Sequence, residues 1–298
     1  MSGKGLNVTV LVTPVHDCLN PVTIESGGKR LVGSSLRWIL NPYDAYAIEA
    51  ALRLREAVPG TFTRVITVAP PDCEKVARAG LAVGIDEAIL VWDEALEGSD
   101  SYATAIVLAA VLRKQPFDLI LAGWRRSDLE QGQVGPMVAE LLDLAQITAA
   151  REILPGEDPH EIRVQKRIPG QVFKVSCPLP ALVTLEKGPV LRYPKFLDRR
   201  RAQNAPIRKL DLRATGLAAD QVGTSGSLTQ VERITPPKPT KRSALGSAVS
   251  GMNTAARLQR ILSGGMQEKK ESKIWECRDR QSVEKVVEHM LQEKMITL

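Results

Sequence analysis

Short apolar runs rich in valine, leucine and isoleucine alternate with amphipathic stretches over the first half of the chain. The runs are too short for helices and have no polar face, which is typical of strands buried on both sides of a parallel sheet. The pattern therefore predicts four strands, at residues 7–13, 63–69, 87–92 and 118–122.

The stretches between these runs show apolar residues at spacings of three and four, with charged residues on the opposite side. We expect helices at residues 43–58, 72–83, 102–113 and 133–142. The first helix has the clearest boundaries. Asn41 is a favourable N-cap, Pro42 suits the first turn, and Asp44 is an acid near the helix start. Pro59 and Gly60 end this helix.

Strands and helices thus alternate four times, and this order predicts a doubly wound, mostly parallel α/β sheet, Rossmann-like, with right-handed crossovers. The second half of the chain has a different pattern. Side chains alternate over residues 161–168, Gly170 turns the chain, and residues 171–176 return, which predicts a hairpin. A further buried strand is expected at residues 180–186, where the chain rejoins the main sheet.

From residue 216 onward the composition shifts to Gly, Ser, Thr, Pro and Ala. Such a segment has little core of its own and is expected to form an extended C-terminal arm. Two helical stretches follow, at residues 253–262 and 282–295. The sequence therefore predicts a nucleotide-binding α/β domain over residues 1–215 and an arm with helices over residues 216–298.

Bulk composition narrows the class of protein. No apolar run approaches the roughly 18–20 residues of a membrane helix, and the N-terminus lacks the pattern of a signal peptide. The four cysteines and three histidines are scattered, so neither a disulfide framework nor a metal site is expected. We expect a cytoplasmic protein with an aliphatic core, since aromatic residues make up only 4% of the chain.

The net charge of +6 is unevenly distributed. Residues 192–213 contain eight lysines and arginines and only two acidic residues. This segment is either a solvated loop or a surface that docks an acidic partner, with nucleic acid the less favoured partner.

The most informative candidate chemistry follows the fourth strand. A polar loop begins at Gly123, contains two arginines, and leads into an apolar helix near Gln133. Backbone N–H groups at a helix start, beyond the carboxyl end of a strand, are how open α/β sheets bind phosphate. We therefore expect an adenine nucleotide or a flavin, with the amides of Gly132, Gln133 and Val134 on its phosphate. Gly123 is expected to let the chain turn tightly.

With these motifs in this order, the chain resembles the beta subunit of electron transfer flavoproteins over residues 8–239. The resemblance rests on four features. They are the end of the first strand at residues 12–17, the helix start Asn41-Pro-Tyr-Asp44, the loop and helix at residues 123–142, and the hairpin with its following strand at residues 164–184.

The resemblance implies a heterodimer with a larger alpha subunit that mainly holds the redox FAD, while this chain holds a structural AMP. It implies an electron carrier that passes electrons from a flavin dehydrogenase to a quinone-linked oxidoreductase. No catalytic residue is expected, since the flavin carries the redox chemistry. The expected cofactor-binding residues are Leu11, Thr13, Asn41, Pro42, Tyr43, Asp44, Ala69, Asp100, Thr104, Gly123, Arg125, Arg126, Ser127, Asp128, Gln131, Gly132, Gln133 and Val134.

Several of these residues have a second interpretation. Asn41 is a ligand or a plain N-cap, and Asp128 is a ligand or a turn former. Arg125 and Arg126 are phosphate ligands or a surface pair that faces the partner. Tyr43 lies next to the alpha-subunit flavin or fills the core.

Two other functions remain open. In an electron-bifurcating version, a second FAD replaces AMP and NADH is the donor. The segment from Asp100 to Thr104 then reaches that flavin, or it simply caps a helix. A nucleotide-sensing or nucleic-acid-binding module of the same fold is the alternative of another class, because fold alone does not fix function.

The chain departs from the family pattern in three segments, and it is also longer than typical between about residues 243 and 277. The hairpin turn is Pro169-Gly170-Gln171 instead of an acidic turn. Arg125-Arg126-Ser127 replaces the residues usual in the loop, which favours AMP over FAD. Residues 191–197 replace the usual Leu-Pro pattern of the partner-recognition loop, which argues against the usual acyl-CoA dehydrogenase partner.

The extended arm is expected to wrap onto the alpha subunit and to form a large, obligate interface. Deletion of the residues beyond Gly216 is therefore expected to dissociate or destabilise the heterodimer.

Overall fold

The computed structural model describes residues 5–17, 19, 23–25, 28, 31–32, 37–235, 254–255, 258 and 279–292. Contacts within the chain group Met1–Thr235 in one compact unit and Pro236–Leu298 in a second. The first unit carries the sheet and the whole of the candidate site. In the second unit, the helix Arg280–Gln292 is the longest described element.

Strands dominate the first unit. In chain order they are β1 (Asn7–Leu11), β2 (Pro14–His16), β3 (Trp38–Leu40), β4 (Phe62–Val68), β5 (Glu87–Val91), β6 (Leu119–Gly123), β7 (Ala145–Pro155), β8 (Glu161–Ile168), β9 (Gln171–Pro178), β10 (Ala181–Leu185) and β11 (Arg208–Leu210). Nine of them form one sheet in the order β11-β5-β4-β1-β6-β10-β7-β8-β9, while β2 and β3 form a separate antiparallel ribbon.

Helices connect these strands. They are α1 (Pro42–Ala57), α2 (Glu74–Val83), α3 (Ser101–Leu112), α4 (Val134–Leu141), α5 (Phe196–Asn204), α6 (Leu212–Thr215) and α7 (Gly223–Gly226). Short 3₁₀ turns lie at Pro71–Cys73, Glu94–Leu96 and Ala219–Gln221.

The main sheet is covered on both faces, as the continuous apolar strands predict. One buried cluster joins α1 and α2 to side chains such as Val8, Leu119 and Leu121. A second cluster joins α3 and α4 to the opposite face, including Ile66 and Ile120. Alternate residues of β6 thus point into different cores, and the expected doubly wound α/β fold is confirmed.

The strand order reverses at β1 within the parallel part of the sheet. β1 pairs in parallel with β4 on one side and with β6 on the other. The chain moves outward from β1 through β4 to β5, and then returns to β6 on the far side of β1. The carboxyl ends of β1 and β6, called the switch point below, are where open α/β sheets bind their ligands.

The predicted hairpin is confirmed, with Ile168 opposite Gln171 and Gly170 in a left-handed conformation at φ +85°. Other predictions were less accurate. The first strand ends at Leu11 instead of residue 13, because the chain then enters the ribbon at Pro14. The strands β7 and β11 and the helix α5 were not predicted.

Residues 217–235 belong to the first unit, and two of them pack into its core. Val222 is buried, and Leu217 packs against the second core cluster. Residues 236–251 of the predicted arm, and most of the predicted helix at residues 253–262, lie outside the described residues. The last predicted helix is found at Arg280–Gln292.

Among the described helices, none has the length and apolar character needed to cross a bilayer. Cys73 and Cys177 are buried free thiols, and Cys18 and Cys277 lie outside the described residues. The described part of the chain contains no cluster of His, Cys, Asp and Glu suited to a metal ion.

Candidate functional site

The Asp44 side chain connects three elements at the switch point. Its carboxylate accepts hydrogen bonds from the backbone N–H of Thr13 beyond β1 at 2.6 Å and from the N–H of Gly123 in β6 at 3.0 Å. It also accepts from Nδ2 of Asn41 at 3.0 Å. The first turn of α1 is thereby fixed to the carboxyl ends of both central strands.

Asp44 is an almost fully buried acid, 3% exposed. Burial raises its pKa to about 7, because an ionised carboxylate loses its hydration there. The three N–H donors and the charge of Arg126 act in the opposite direction and favour the ionised form. Asp44 therefore titrates near neutral pH while it bonds both strand ends.

Gly123 is required for a reason different from the predicted tight turn. It lies in β6 as the last residue of that strand, and its φ is not in the left-handed region. A Cβ at this position would lie 2.2 Å from Oδ1 of Asp44 and 2.8 Å from Cβ of Tyr43. Glycine is needed because the start of α1 approaches the strand so closely.

Asn41 precedes α1, but its side chain makes no capping bond. Its Nδ2 also donates to the backbone oxygen of Arg125 at 2.9 Å, and its Oδ1 accepts from the N–H of Ser127 at 3.3 Å. Asn41 is 1% exposed. Its side chain therefore holds the loop after β6 in place, a role that neither sequence interpretation included.

The two arginines of this loop have different surroundings. Arg126 donates to both oxygens of Asp128, at 3.0 and 2.8 Å. Asp128 also accepts from the backbone N–H of His16 at 3.2 Å, so it links the loop to β2. Although burial opposes it, bonding and charge from Arg126 hold the pKa of Asp128 below its usual value. The His16 ring in turn stacks on Trp38 with centroids 4.1 Å apart.

Arg125 lies in an aromatic setting instead. Its guanidinium carbon is 4.6 Å from the ring centre of Trp124 and 5.4 Å from that of Tyr43. Its Nε donates to Oη of Tyr43 at 3.1 Å, and it pairs with Glu130. Tyr43 is only half-buried, with Trp124 edge-on at 6.4 Å. Such cation–π contacts fix the direction of the Arg125 side chain.

The start of α4 presents free hydrogen-bond donors. Within the described residues, the backbone N–H groups of Gly132, Gln133, Val134 and Gly135 donate to no protein acceptor. Two of these positions tolerate no side chain. A Cβ at Gly132 would lie 2.6 Å from the backbone oxygen of Trp124, and one at Gly135 would lie 2.7 Å from Cγ2 of Thr184.

The remaining predicted residues flank this centre. Leu11 and Ala69 are buried at the ends of β1 and β4. Pro42 is exposed in the first turn of α1. On the far side, Oε1 of Gln131 is 3.4 Å from Oγ of Ser101 at the start of α3, which brings the loop after β6 next to that helix.

Asp100 precedes α3 and caps it. Its Oδ1 accepts from the N–H groups of Tyr102 and Ala103, both at 2.9 Å. Its Oδ2 accepts from the N–H and Oγ1 of Thr229, both at 2.8 Å. Thr104 lies in the first turn, and its N–H donates to the oxygen of Asp100. The carboxylate of Asp100 is therefore fully used within the protein.

Sequence reasoning did not assign a role to Trp124, Glu130 or Trp38. Their only signals are a tryptophan directly after the strand glycine, an acid five residues beyond its arginine partner, and an aromatic residue three positions before Asn41. None of these patterns specifies a contact before the loops are placed.

Comparisons with known proteins agree with one another. Residues 30–215 match the family described as "Electron transfer flavoprotein domain". The electron transfer flavoprotein subunit beta of Bacillus subtilis is 36% identical over 236 residues, covering 78% of this chain and 89% of that protein. Protein FixA of Azotobacter vinelandii is 38% identical over 213 residues, covering 69% and 75%.

A third relative is named as part of a larger assembly. It is the "Caffeyl-CoA reductase-Etf complex subunit CarD" of Acetobacterium woodii, which is 34% identical over 237 residues. The similarity covers 78% of this chain and 88% of that protein.

Proposed function

The chain belongs to the electron transfer flavoprotein family, as a relative of its beta subunits and of FixA, and from that premise we propose its role. It is the beta-type subunit of a heterodimeric electron carrier, with AMP bound at the switch point. The heterodimer takes electrons from a flavin dehydrogenase and delivers them to a quinone-linked oxidoreductase.

The observation that carries the nucleotide proposal is the set of four free N–H groups at the start of α4. Backbone donors at a helix start favour a phosphate, since the helix dipole adds to their partial positive charge. Gly132 and Gly135 let these donors sit close against Trp124 and Thr184, because a Cβ at either position would collide with those residues. The residues present therefore suit an adenylate.

The other predicted residues hold the site rather than fill it. Asp44 fixes the strand ends, Asn41 fixes the loop, and Asp128 fixes Arg126. This support is what a binding site built on loops needs to keep its donors in position. Arg126, held by one carboxylate, is the side chain that we expect to face the phosphate.

The FAD held with the alpha subunit supplies the one- and two-electron chemistry when it is bound. This chain contributes orientation and exclusion of water around that group. Tyr43 and Arg125 are its candidates for contact with the flavin, because both are half-buried and held to each other by a hydrogen bond.

A second candidate is a bifurcating carrier with FAD at the switch point and NADH as donor. Two observations favour it. One relative is named as a subunit of a caffeyl-CoA reductase complex. In addition, Ser101 at the start of α3 lies beside Gln131 of the loop, so a ligand longer than AMP would meet the segment from Asp100 to Thr104.

The test is to purify the heterodimer with its alpha subunit, denature it, and identify the released ligands by mass spectrometry. One FAD and one AMP per heterodimer support the first proposal. Two FAD molecules per heterodimer replace it with the bifurcating version. A heterodimer that holds one FAD and no second nucleotide contradicts both nucleotide assignments.

The basic segment contains a candidate surface for the transient donor. Four large apolar side chains are exposed at the start of this segment or just before it, and we call them the docking patch: Val190, Tyr193, Phe196 and Leu197. Half of the neighbouring cations are neutralised within the chain, by ion pairs of Arg192, Arg201, Arg208 and Lys209. Lys195, Arg199 and Arg200 make no ion pair with any described carboxylate.

An apolar patch beside unpaired cations suits a protein partner whose binding surface has acidic residues around its edge. We propose that this partner is the donor dehydrogenase. Reversal of charge in Arg199→Glu is expected to slow electron entry and to weaken its dependence on ionic strength. A nucleic acid at this surface would instead be displaced by salt with a steep logarithmic slope. Measuring both dependences on the heterodimer distinguishes the two partners.

A further inference from the structure

We infer that Arg192 is a positioning residue for electron entry, because it holds the docking patch in place on α1. The inference rests on the proposed function of that patch. Between Glu186 and Lys195 the chain has no helix or strand. Val190 is 82% and Tyr193 is 97% exposed. A segment of this kind is mobile unless something fixes it, since it makes few backbone bonds of its own.

Arg192 supplies that anchor. Its backbone N–H and its Nε both donate to Oε2 of Glu49, at 3.1 and 3.0 Å, and its Nη2 donates to Oε1 at 3.0 Å. Its Nη1 donates to Glu56, seven residues and about two turns further along α1. One arginine thus binds two acids on the same helix, in the forked geometry that the guanidinium favours.

Glu49 is suited to its part in this anchor. It is 3% exposed, and its pKa lies below the ordinary value because Arg192 and Arg53 donate to it, although burial acts in the opposite direction. The pKa of Arg192 is raised beyond its ordinary value by the same bonds. Both partners therefore stay charged over the physiological range.

The helix α5, which begins within the patch, has a separate anchor at its far end. Arg78 of α2 donates to the backbone oxygens of Ala202 and Ala205 at the end of α5. Tyr193, Phe196 and Leu197 consequently lie between two arginine contacts, one on α1 and one on α2. Fixing a loop before its partner arrives lowers the entropy lost on docking, so the anchor raises affinity without touching the partner.

The experiment compares three variants of the heterodimer. Arg192→Met removes the three side-chain donors but leaves the backbone bond to Glu49. Arg192→Lys keeps the charge without the forked geometry. Arg53→Met is the matched control, because Arg53 donates to the same Glu49 at 3.2 Å from within α1 and forms no hydrogen bond or ion pair with residues 190–197.

The kinetic measurement is reduction of the heterodimer by a flavin dehydrogenase that reduces the wild type, with dithionite as a small reductant that needs no docking. We expect Arg192→Met to raise KM for the dehydrogenase at least tenfold, with kcat and the dithionite rate within twofold of wild type. Arg192→Lys is expected to recover part of the loss, and Arg53→Met to behave as wild type.

Hydrogen exchange of the same samples tests the anchor independently. Amides of residues 188–195 are expected to exchange at least tenfold faster in Arg192→Met, while those of residues 119–133 do not change. An unchanged KM, unchanged exchange, or equal losses with dehydrogenase and dithionite would overturn the inference. If no flavin dehydrogenase reduces the wild type, the proposed function fails, and the exchange data still decide whether Arg192 anchors the patch.

Discussion

Asp44 combines a structural role with a titration close to neutral pH. Its carboxylate accepts hydrogen bonds from N–H groups of Thr13, Gly123 and Asn41. All three contacts are donors, so none of them accepts a hydrogen bond from the protonated carboxyl group. Burial nevertheless raises its pKa to about 7. The folded chain therefore binds this proton more tightly than the unfolded chain, whose carboxyl titrates near its ordinary value of 3.8.

This difference predicts how stability depends on pH. Because the folded pKa is raised, the contribution of Asp44 to stability is fully present below about pH 4 and is lost as the pH rises to about 7. We expect the free energy of unfolding to fall by on the order of 3 kcal/mol between about pH 5 and pH 8 from this group. Denaturant unfolding of wild type and Asp44→Asn at both pH values measures it.

The Asn side chain is neutral at every pH, so this variant should lack this part of the pH dependence. Asp128→Asn is the control, because the pKa of Asp128 is lowered and its contribution is lost as pH falls, not as it rises. Parallel pH curves for wild type and Asp44→Asn would contradict the prediction.

A second prediction at the residue scale concerns the replacement of Gly123. In Gly123→Ala the new Cβ would meet Oδ1 of Asp44 at 2.2 Å, so α1 or β6 must shift. Overpacking of this kind costs about 1–3 kcal/mol, and we expect bound nucleotide to be lost as well. Thermal unfolding and ligand content measure the two effects. Gly188→Ala is the control, since its Cβ would approach Tyr46 only to 3.2 Å. Equal effects of both variants would show that the approach to Asp44 is not the cause.

At this scale, residue types in the loop were predictable but their bonds were not. The free amides of Gly132, Gln133 and Val134 lie at a helix start, as strand–loop–helix order indicates. Arg125 bonds Tyr43, whereas Arg126 bonds the carboxylate of Asp128. The sequence places the two arginines side by side and does not indicate which of them has which partner.

At the scale of elements, the start of α3 is bonded to the segment that contains Ser227 and Thr229. Asp100 caps α3 through Oδ1 and bonds Thr229 through Oδ2. The backbone N–H of Asp100 donates to Oγ of Ser227 at 2.8 Å. One residue therefore stabilises the helix start and holds a segment more than a hundred positions away in the chain.

Asp100→Ala should cost more stability than an ordinary cap. Loss of an N-cap costs about 1 kcal/mol, and here the bonds to Thr229 are lost in addition. Thr229→Val separates the two, because it removes only the hydroxyl bond and leaves the cap. We expect the thermal midpoint to fall clearly further in Asp100→Ala. Equal midpoints would mean that the cap contributes nothing beyond the hydroxyl bond.

Elements with a strong apolar period were predictable, and those set by neighbours were not. The strands β4, β5 and β6 lie within one or two residues of their predicted bounds because their side chains are buried on both faces. By contrast, α5 buries only Ala202 and has no apolar stripe. The end of α5 is held by a hydrogen bond from Arg78. The strand β7 is held by its pairing with β10 and β8. Periodicity contains no signal for such tertiary contacts.

At the scale of the whole molecule, the division of the chain decides which truncation is informative. The predicted boundary followed residue 215, but Leu217 packs against the second core and Val222 is 1% exposed. A Cβ at Gly223 would lie 2.2 Å from the backbone oxygen of Ala95. Truncation after Thr215 would therefore expose the core, and any loss of assembly would follow from unfolding alone.

Truncation after Thr235 is the sharper test of the arm proposal, since it leaves the first compact unit intact. We expect this variant to keep the thermal midpoint of the full chain, and the nucleotide content proposed for it, when it is co-expressed with the alpha subunit. It should nevertheless elute separately from that subunit in size-exclusion chromatography, because an obligate interface depends on large buried area. The variant ending at residue 215 is the control, with both stability and assembly lost. If the chain ending at Thr235 assembles with unchanged affinity, the interface lies on the first unit, and residues 236–298 serve another purpose.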